Sequence, residues 1–222
     1  MFRTCTALAC LLATPFVSSA DPSTPKLHPV NEVCITYEMS GQMMNGTTTR
    51  CHRDHGYEMY ELEDMKIGIG GFGQRQKAHR ITIGDTIYAL DLKTNRATKT
   101  KNPMYDQIAG ALERDGAEQV SSQFMTAMGY SPTGQTKTIA GQTCEVHSSQ
   151  FVGSACLTSD LLSLEQDVMG NRMTAQSVSY SPGEASNYSL PDGVSVQDGP
   201  DLSNGIPGMD GMSLGDLLGQ QQ

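Results

Sequence analysis

Cys51-His52-Arg53-Asp54-His55 is the densest run of ligand-type side chains in the chain. On a strand, His52 and Asp54 share one face, while Cys51, Arg53 and His55 share the other. Two ligands on one face begin a metal site but do not complete one. The run therefore reads as a polar strand end with Cys51 in a disulfide, and no metal is expected. Gly68-Ile69-Gly70-Gly71-Phe72-Gly73 matches the dinucleotide fingerprint letter for letter. That fingerprint works only between a strand and a helix whose N-terminus faces the pyrophosphate. Here Gln74-Arg75-Gln76-Lys77-Ala78 leads into a β pattern, so the glycines read as a loop, a lip over a cavity if they have a role. Thirteen methionines raise the question of copper(I). Met104 and Met128 follow helical core spacing, however, and methionine suits an adaptable apolar lining. No Gly-x-Ser-x-Gly elbow is present. His147 and Ser148 are adjacent, hence on opposite faces of a strand, and Asp160, Glu165 and Asp167 are scattered. No catalytic residue and no cofactor is expected from these patterns, with a cryptic hydrolase as the remote alternative.

The N-terminus reads Met1-Phe2-Arg3, an apolar run from Ala7 to Val17, then Ser18-Ser19-Ala20. That is the layout of a cleavable signal peptide, with cleavage expected after Ala20 and a periplasmic destination. Ala7-Leu8-Ala9-Cys10 is the rival, a lipoprotein box that would place a lipid on Cys10. The apolar run is shorter than the roughly 20 residues that span a bilayer, so no transmembrane segment is expected. Cys34, Cys51, Cys144 and Cys156 remain beyond that leader. An even number in an exported protein implies two disulfides, and four cysteines allow three connectivities. Cys34–Cys51 with Cys144–Cys156 is preferred because each pair flanks an expected hairpin. The chain carries 24 Asp and Glu against 15 Lys and Arg and no tryptophan. That excess of acid, without a basic patch, argues against nucleic acid and against anionic membrane surfaces.

The elements that would position these residues are mostly strands. Residues 21–31, with Pro22, Pro25 and Pro29, read as an extended leader. Val33, Ile35, Tyr37 and Met39 alternate on one half-buried strand, and Asn45-Gly46 turns it into a return from Thr47 to His55. Tyr57 to Leu62 reads as a third strand, and His79–Ile83, Gly84-Asp85 and Thr86–Asp91 as a hairpin. From Pro103 the apolar positions Met104, Ile108, Leu112, Val120, Phe124 and Met128 predict an amphipathic helix over 103–128. Asn102-Pro103 starts it, Gly129 stops it, and Asp115-Gly116 divides it. Beyond Pro132 the β pattern resumes, with one strand region over Thr138–His147, its return at Ser154–Leu157 and a hairpin over Leu161–Tyr180. Leu190 to Val196 is a last short strand or turn. Residues 198–222 lose periodicity and read as a disordered tail rich in Gly, Met and Asp.

Several phrases carry a resemblance: Met128-Gly129-Tyr130, Thr138-Ile139-Ala140-Gly141-Gln142-Thr143-Cys144-Glu145-Val146, Ala155-Cys156-Leu157 and Leu190-Pro191-Asp192-Gly193-Val194. Together they resemble a family of small bacterial periplasmic proteins catalogued as a domain of unknown function. In fold, that family looks related to the periplasmic lipoprotein carrier LolA. The resemblance covers about 33–196 and implies a strongly curved, open antiparallel sheet with helices on its concave face, where the carriers accept acyl chains. Arg50 and Arg53 are the positional candidates for an arginine that the carriers use on an early strand. Thr158-Ser159-Asp160 departs from the family pattern after Cys156.

The expected fold class is thus α+β: a strongly curved antiparallel sheet, an open LolA-like barrel, with a helical lid, built as one domain over 32–197. The expected function is non-enzymatic binding of a lipid, acyl chain or lipidated protein between sheet and helix. Tyr37, Met39, Ile83, Tyr88, Leu90, Ile108, Leu112, Phe124 and Met128 are the expected lining. The alternative is a cell-envelope interaction module without a small-molecule ligand.

Overall fold

The computed structural model describes residues 24–42, 44–68 and 73–200. The expected signal peptide, Cys10, Met43, the centre of the glycine run and residues 201–222 of the expected tail lie outside them. Among the described residues twelve strands form one sheet, in the order β12-β6-β5-β4-β3-β2-β1-β11-β10-β9-β8-β7. The first meander is β1 (Val33–Ser40), β2 (Met44–Arg53), β3 (Glu58–Ile67), β4 (Gln74–Ile83), β5 (Thr86–Asp91) and β6 (Arg96–Lys101). The second is β7 (Ser131–Ile139), β8 (Gln142–Ser149), β9 (Gly153–Leu157), β10 (Ser163–Val168) and β11 (Asn171–Ser179). Every pairing is antiparallel except that of β12 (Ser195–Asp198) with β6. The sheet is curved and not closed, and with one helix, α1 (Tyr105–Ala127), the fold is of the α+β class.

β1 is where the two meanders meet, because it pairs with β2 on one side and β11 on the other. Directly opposed residues share a face. The face carrying Val33, Ile35 and Tyr37 is therefore the inner one, since those three pack against Cys144, Val146, Cys156, Leu162 and Leu164 of the second meander. Register shifts at Thr36/Tyr37 and between Ser163 and Glu165 re-aim the strands there, as bulges do. The outer face of the first meander has its own core. Tyr60 and Cys51 pack with Tyr188, while Ile81, Leu90 and Ala97 pack with Leu190 and Val194.

The segment after β11 is thus a strap across the outer face. Tyr188 donates its hydroxyl to Pro182 O at 2.7 Å. Its ring and that of Tyr60 meet edge to face at 4.8 Å, and the Arg53 guanidinium carbon lies 4.4 Å from the Tyr188 ring centre. Gly183, at φ 73°, passes directly over the Cys34–Cys51 bridge and Tyr60, where a β-carbon would collide with the phenol oxygen and crowd both sulfurs. Both disulfides follow the local pairing preferred from the sequence. Cys34 and Cys51 are cross-strand partners in β1 and β2, and Cys144–Cys156 joins β8 to β9 with Cα atoms 5.3 Å apart.

The polar segment Ser131–Ile139 is a strand in its own right, where the sequence pattern shows one strand region from Thr138. It is exposed along eight of its nine residues at a sheet edge, so no apolar alternation marks it. Ala140 and Gly141, at φ 49° and 77°, form the tight turn that separates it from β8. β12 runs to Asp198, and Gly199 N–H bonds Lys99 O at 2.7 Å. The sheet therefore extends into residues that composition reads as tail, because parallel pairing to β6 needs backbone rather than apolar side chains.

α1 contains a break at Gly116 (φ 78°, ψ 160°). It ends in a Schellman motif: Tyr130 N–H bonds Met125 O at 2.8 Å, and Gly129 N–H bonds Thr126 O at 2.9 Å. Only Ala109 and Ala111 of the helix are buried, and no helix residue belongs to the three core clusters. Sheet packing therefore dominates stability. Leu164, 0% exposed, is predicted to lose about 3 kcal/mol on truncation to alanine. Met169→Ala, at a residue 85% exposed, is expected within about 0.5 kcal/mol of wild type by urea unfolding.

Candidate functional site

A cavity of about 460 Å³ opens on the inner face across β1–β4. Its apolar end is built from Val33, Ile35 and Tyr37 of β1 together with Leu161 and Leu162 from the β9–β10 connection. Its other end carries Arg50 of β2, Met59 and Glu61 of β3, and Arg80 and Thr82 of β4. The register explains this gradient. Ile35, Arg50, Glu61 and Arg80 are successive cross-strand partners, so one row runs from apolar to charged across four strands. Val33, His52, Met59 and Thr82 form the parallel row beside it.

Tyr37 donates its hydroxyl to Ser163 O at 2.9 Å, closing the cavity against the second meander. Burial pushes its pKa up to about 12, so it stays a donor. Ser163 also borders the cavity, and its own hydroxyl is buried without a partner among the described residues.

The Cys51–His55 run has an architectural role. Cys51 is in its disulfide, and Arg53 donates twice to Glu58 on the outer face. Asp54 and His55 form a turn with φ near 52° and 55°. The histidines tie down the preceding segment: His52 Nε2 lies 3.0 Å from Val30 O, and His55 Nδ1 lies 3.0 Å from His28 O. His28 accepts Val30 N–H at Nδ1, and its ring lies 4.7 Å from that of His52. The expected leader is thus fastened to the β2–β3 corner, with His28 on the cavity wall. Among the described residues no group of three or more metal-ligating side chains converges. The glycine run joins two antiparallel strands, with Ile67 opposite Gln74, so no helix follows it to face a pyrophosphate.

The nine residues expected to line one cavity are distributed over several places. Tyr37 borders this cavity, and Met39 packs against the inner core. Tyr88 and Leu90 lie on the outer face with Leu190 and Val194, and Ile83 shares that face at the end of β4. Ile108, Leu112 and Met128 are half-buried on or beside α1, and Phe124 is exposed. Periodicity assigns residues to a face but does not say which face of β4 and β5 is the inner one. Val33 and Ile35 were visible in the β1 alternation, whereas Leu161 and Leu162 sit in a connection that has no periodicity.

A second cavity, of about 610 Å³, lies between the latter half of α1 and β7–β9. Ser121, Met125 and Tyr130 face Thr143, Glu145, His147 and Leu157 across it, and Leu161 borders both cavities. The helix therefore adjoins the second cavity, and the Leu161–Ser163 connection walls the first. Arg50 and Arg53 separate in the same way: Arg50 lines the first cavity, and Arg53 is committed to Glu58 and Tyr188 on the other face.

An open, curved, largely antiparallel sheet with one helix and an amphipathic inner cavity is thus what the chain builds. No family model matches it, and no curated protein matches it. Among solved structures it is similar to an uncharacterized conserved protein from Thermus thermophilus, at 8% identity and a TM-score of 0.47 over 76% of this chain and 90% of that one. It is also similar to LprF from Mycobacterium bovis, at 10% identity and a TM-score of 0.35 over 74% and 90%. Neither likeness bears on what this chain binds.

The histidine fastening predicts a pH dependence. Burial, with His52 alongside, lowers the His28 pKa from 6.5 to about 4, and burial lowers that of His52 as well. As pH falls, the unfolded chain takes up these protons first. Stability is therefore full above the unfolded value of 6.5 and is lost as pH falls toward 4. Asp64, Asp85 and Asp91, each held below 3.8 by a hydrogen-bonded neighbour, stay charged through that window. Urea midpoints should fall between about pH 7 and about pH 5 in wild type, and fall less in His28→Gln. Equal losses in both proteins would remove His28 from the account.

Proposed function

We propose that this protein is a non-catalytic, exported carrier or receptor that holds an apolar chain on the inner face of its sheet. The observation that carries this reading is the inner-face cavity itself. Its volume falls within the range of about 300–1,000 Å³ typical of small-molecule sites, and one end is lined mainly by aliphatic side chains. Val33, Ile35 and Leu162, each 4% exposed or less, form its floor beside the exposed Met59, and each ligand methylene buried there contributes about 0.8 kcal/mol. An acyl chain of a lipid or of a lipidated protein is a ligand of that chemistry, in keeping with the resemblance to the lipoprotein carriers. The two disulfides fit an oxidising compartment, and the periplasm is the proposed location. Among the described residues no helix is long and apolar enough to cross a membrane.

An envelope interaction module is the second reading, favoured by a specific patch. Phe151 and Met169, 84% and 85% exposed, stand on neighbouring hairpin tips and border one shallow depression.

Met59 separates the two. It borders the inner cavity yet is 39% exposed, so Met59→Asp places a charge beside the ligand at little cost to folding. A fluorescent long-chain alkyl probe should bind wild type and bind Met59→Asp about tenfold more weakly, with thermal midpoints nearly unchanged. Equal binding by both proteins, together with loss in Phe151→Asp, would move the site to the hairpin tips.

A further inference from the structure

The charged end of the cavity specifies more than apolar burial requires. Glu61 sits between two arginines on one cross-strand row: Arg50 Nε donates to its Oε1, and Arg80 donates from a terminal nitrogen to its Oε2. Thr48 adds a third donor to Glu61 at 3.4 Å. Three of the roughly four acceptor positions of Glu61 are thereby filled, and its side chain is only 13% exposed. The guanidinium groups are not saturated. Among the described residues each makes a hydrogen bond only to Glu61, although a guanidinium offers five N–H donors. Both remain about half exposed at the cavity. Arg50 is further held by the Tyr37 ring, 5.8 Å from its carbon, so its free edge is pre-positioned. Glu63 lies 3.9 Å from Arg80 but does not border the cavity.

Two arginines locked in place by one shared carboxylate, with donors left over, form a receptor for a second oxyanion. In a chain of net charge −9, this local arrangement runs against the overall field. We infer that the Arg50–Glu61–Arg80 row is a head-group site and that the ligand is a single-chain amphiphile with an anionic oxyacid head. The chain would run from the arginines past Ile35, the β1 partner of Arg50, toward Val33 and Leu162. This inference rests on the apolar-chain reading above and adds the polarity and direction of the ligand.

The experiment compares palmitate, hexadecanol and acetate by calorimetry on the intact protein. Palmitate is expected to bind about tenfold or more tightly than hexadecanol, and acetate not measurably. Arg50→Gln and Arg80→Gln should each bring the palmitate-to-hexadecanol ratio toward one. A loss of folding lowers both affinities and leaves their ratio unchanged, so the ratio separates recognition from structure. Raising the salt concentration on wild type should lower the same ratio, since the guanidiniums are half exposed. Equal binding of palmitate and hexadecanol by wild type would overturn the head-group site and leave the apolar-chain reading standing. No binding of either would overturn both. Unchanged ratios in both arginine variants, with hexadecanol affinity at the wild-type level, would place any head selectivity elsewhere and overturn the inference.

Discussion

Strand β1 is hydrogen-bonded on both sides, to β2 immediately after it and to β11 near the far end of the described chain, and the rest of the molecule follows from that double pairing. Without β11 on its far edge, two independent meanders would each expose one face. With it, the sheet curls, and Val33, Ile35 and Tyr37 are buried to within 4% of full coverage. The other side of β1 is fixed by the Cys34–Cys51 bridge, so neither register nor face can slip. A pairing so distant in sequence is also one whose loop-closure entropy must be met before its contacts form.

The curl assigns different tasks to the two faces of the first meander. Its outer face is closed by the strap, through Tyr188, Leu190 and Val194. Its inner face packs into the core of the second meander through β1, and the surface over β2–β4 stays open as a cavity. Arg50 and Arg53, three residues apart on β2, illustrate the division. Arg50 belongs to the open inner face, and Arg53 is consumed by Glu58 and the Tyr188 ring. Stability resides in the covered face and the β1 core, which frees the inner face of β2–β4 to carry half-exposed charge.

Much of this fold was legible in the amino-acid sequence, for reasons particular residues show. The alternation of Val33, Ile35, Tyr37 and Met39 marks a half-buried strand, and the four-residue spacing from Met104 marks the helix. Cysteine positions flanking hairpins pointed to the two bridges found. Three things were hidden. β7 is polar because an exposed edge strand needs no apolar face. The strap is irregular, so nothing in its spacing shows that Tyr188 covers Tyr60. The cavity depends on which face of β4 turns inward, and a period of two is blind to that choice. Ile83, Tyr88 and Leu90 read as lining for that reason, while Arg80 and Thr82, one residue out of step, are the ones at the cavity.

The central claim is that the inner face of β1–β4 holds an alkyl chain. Intermolecular nuclear Overhauser effects between a uniformly carbon-13-labelled palmitate chain and the protein's methyl groups test it most directly. Contacts are expected to the methyls of Val33, Ile35 and Leu162, which border the apolar end of the cavity. Contacts confined to Met169 and its neighbours at the exposed hairpin tips, with none to those three, would contradict it.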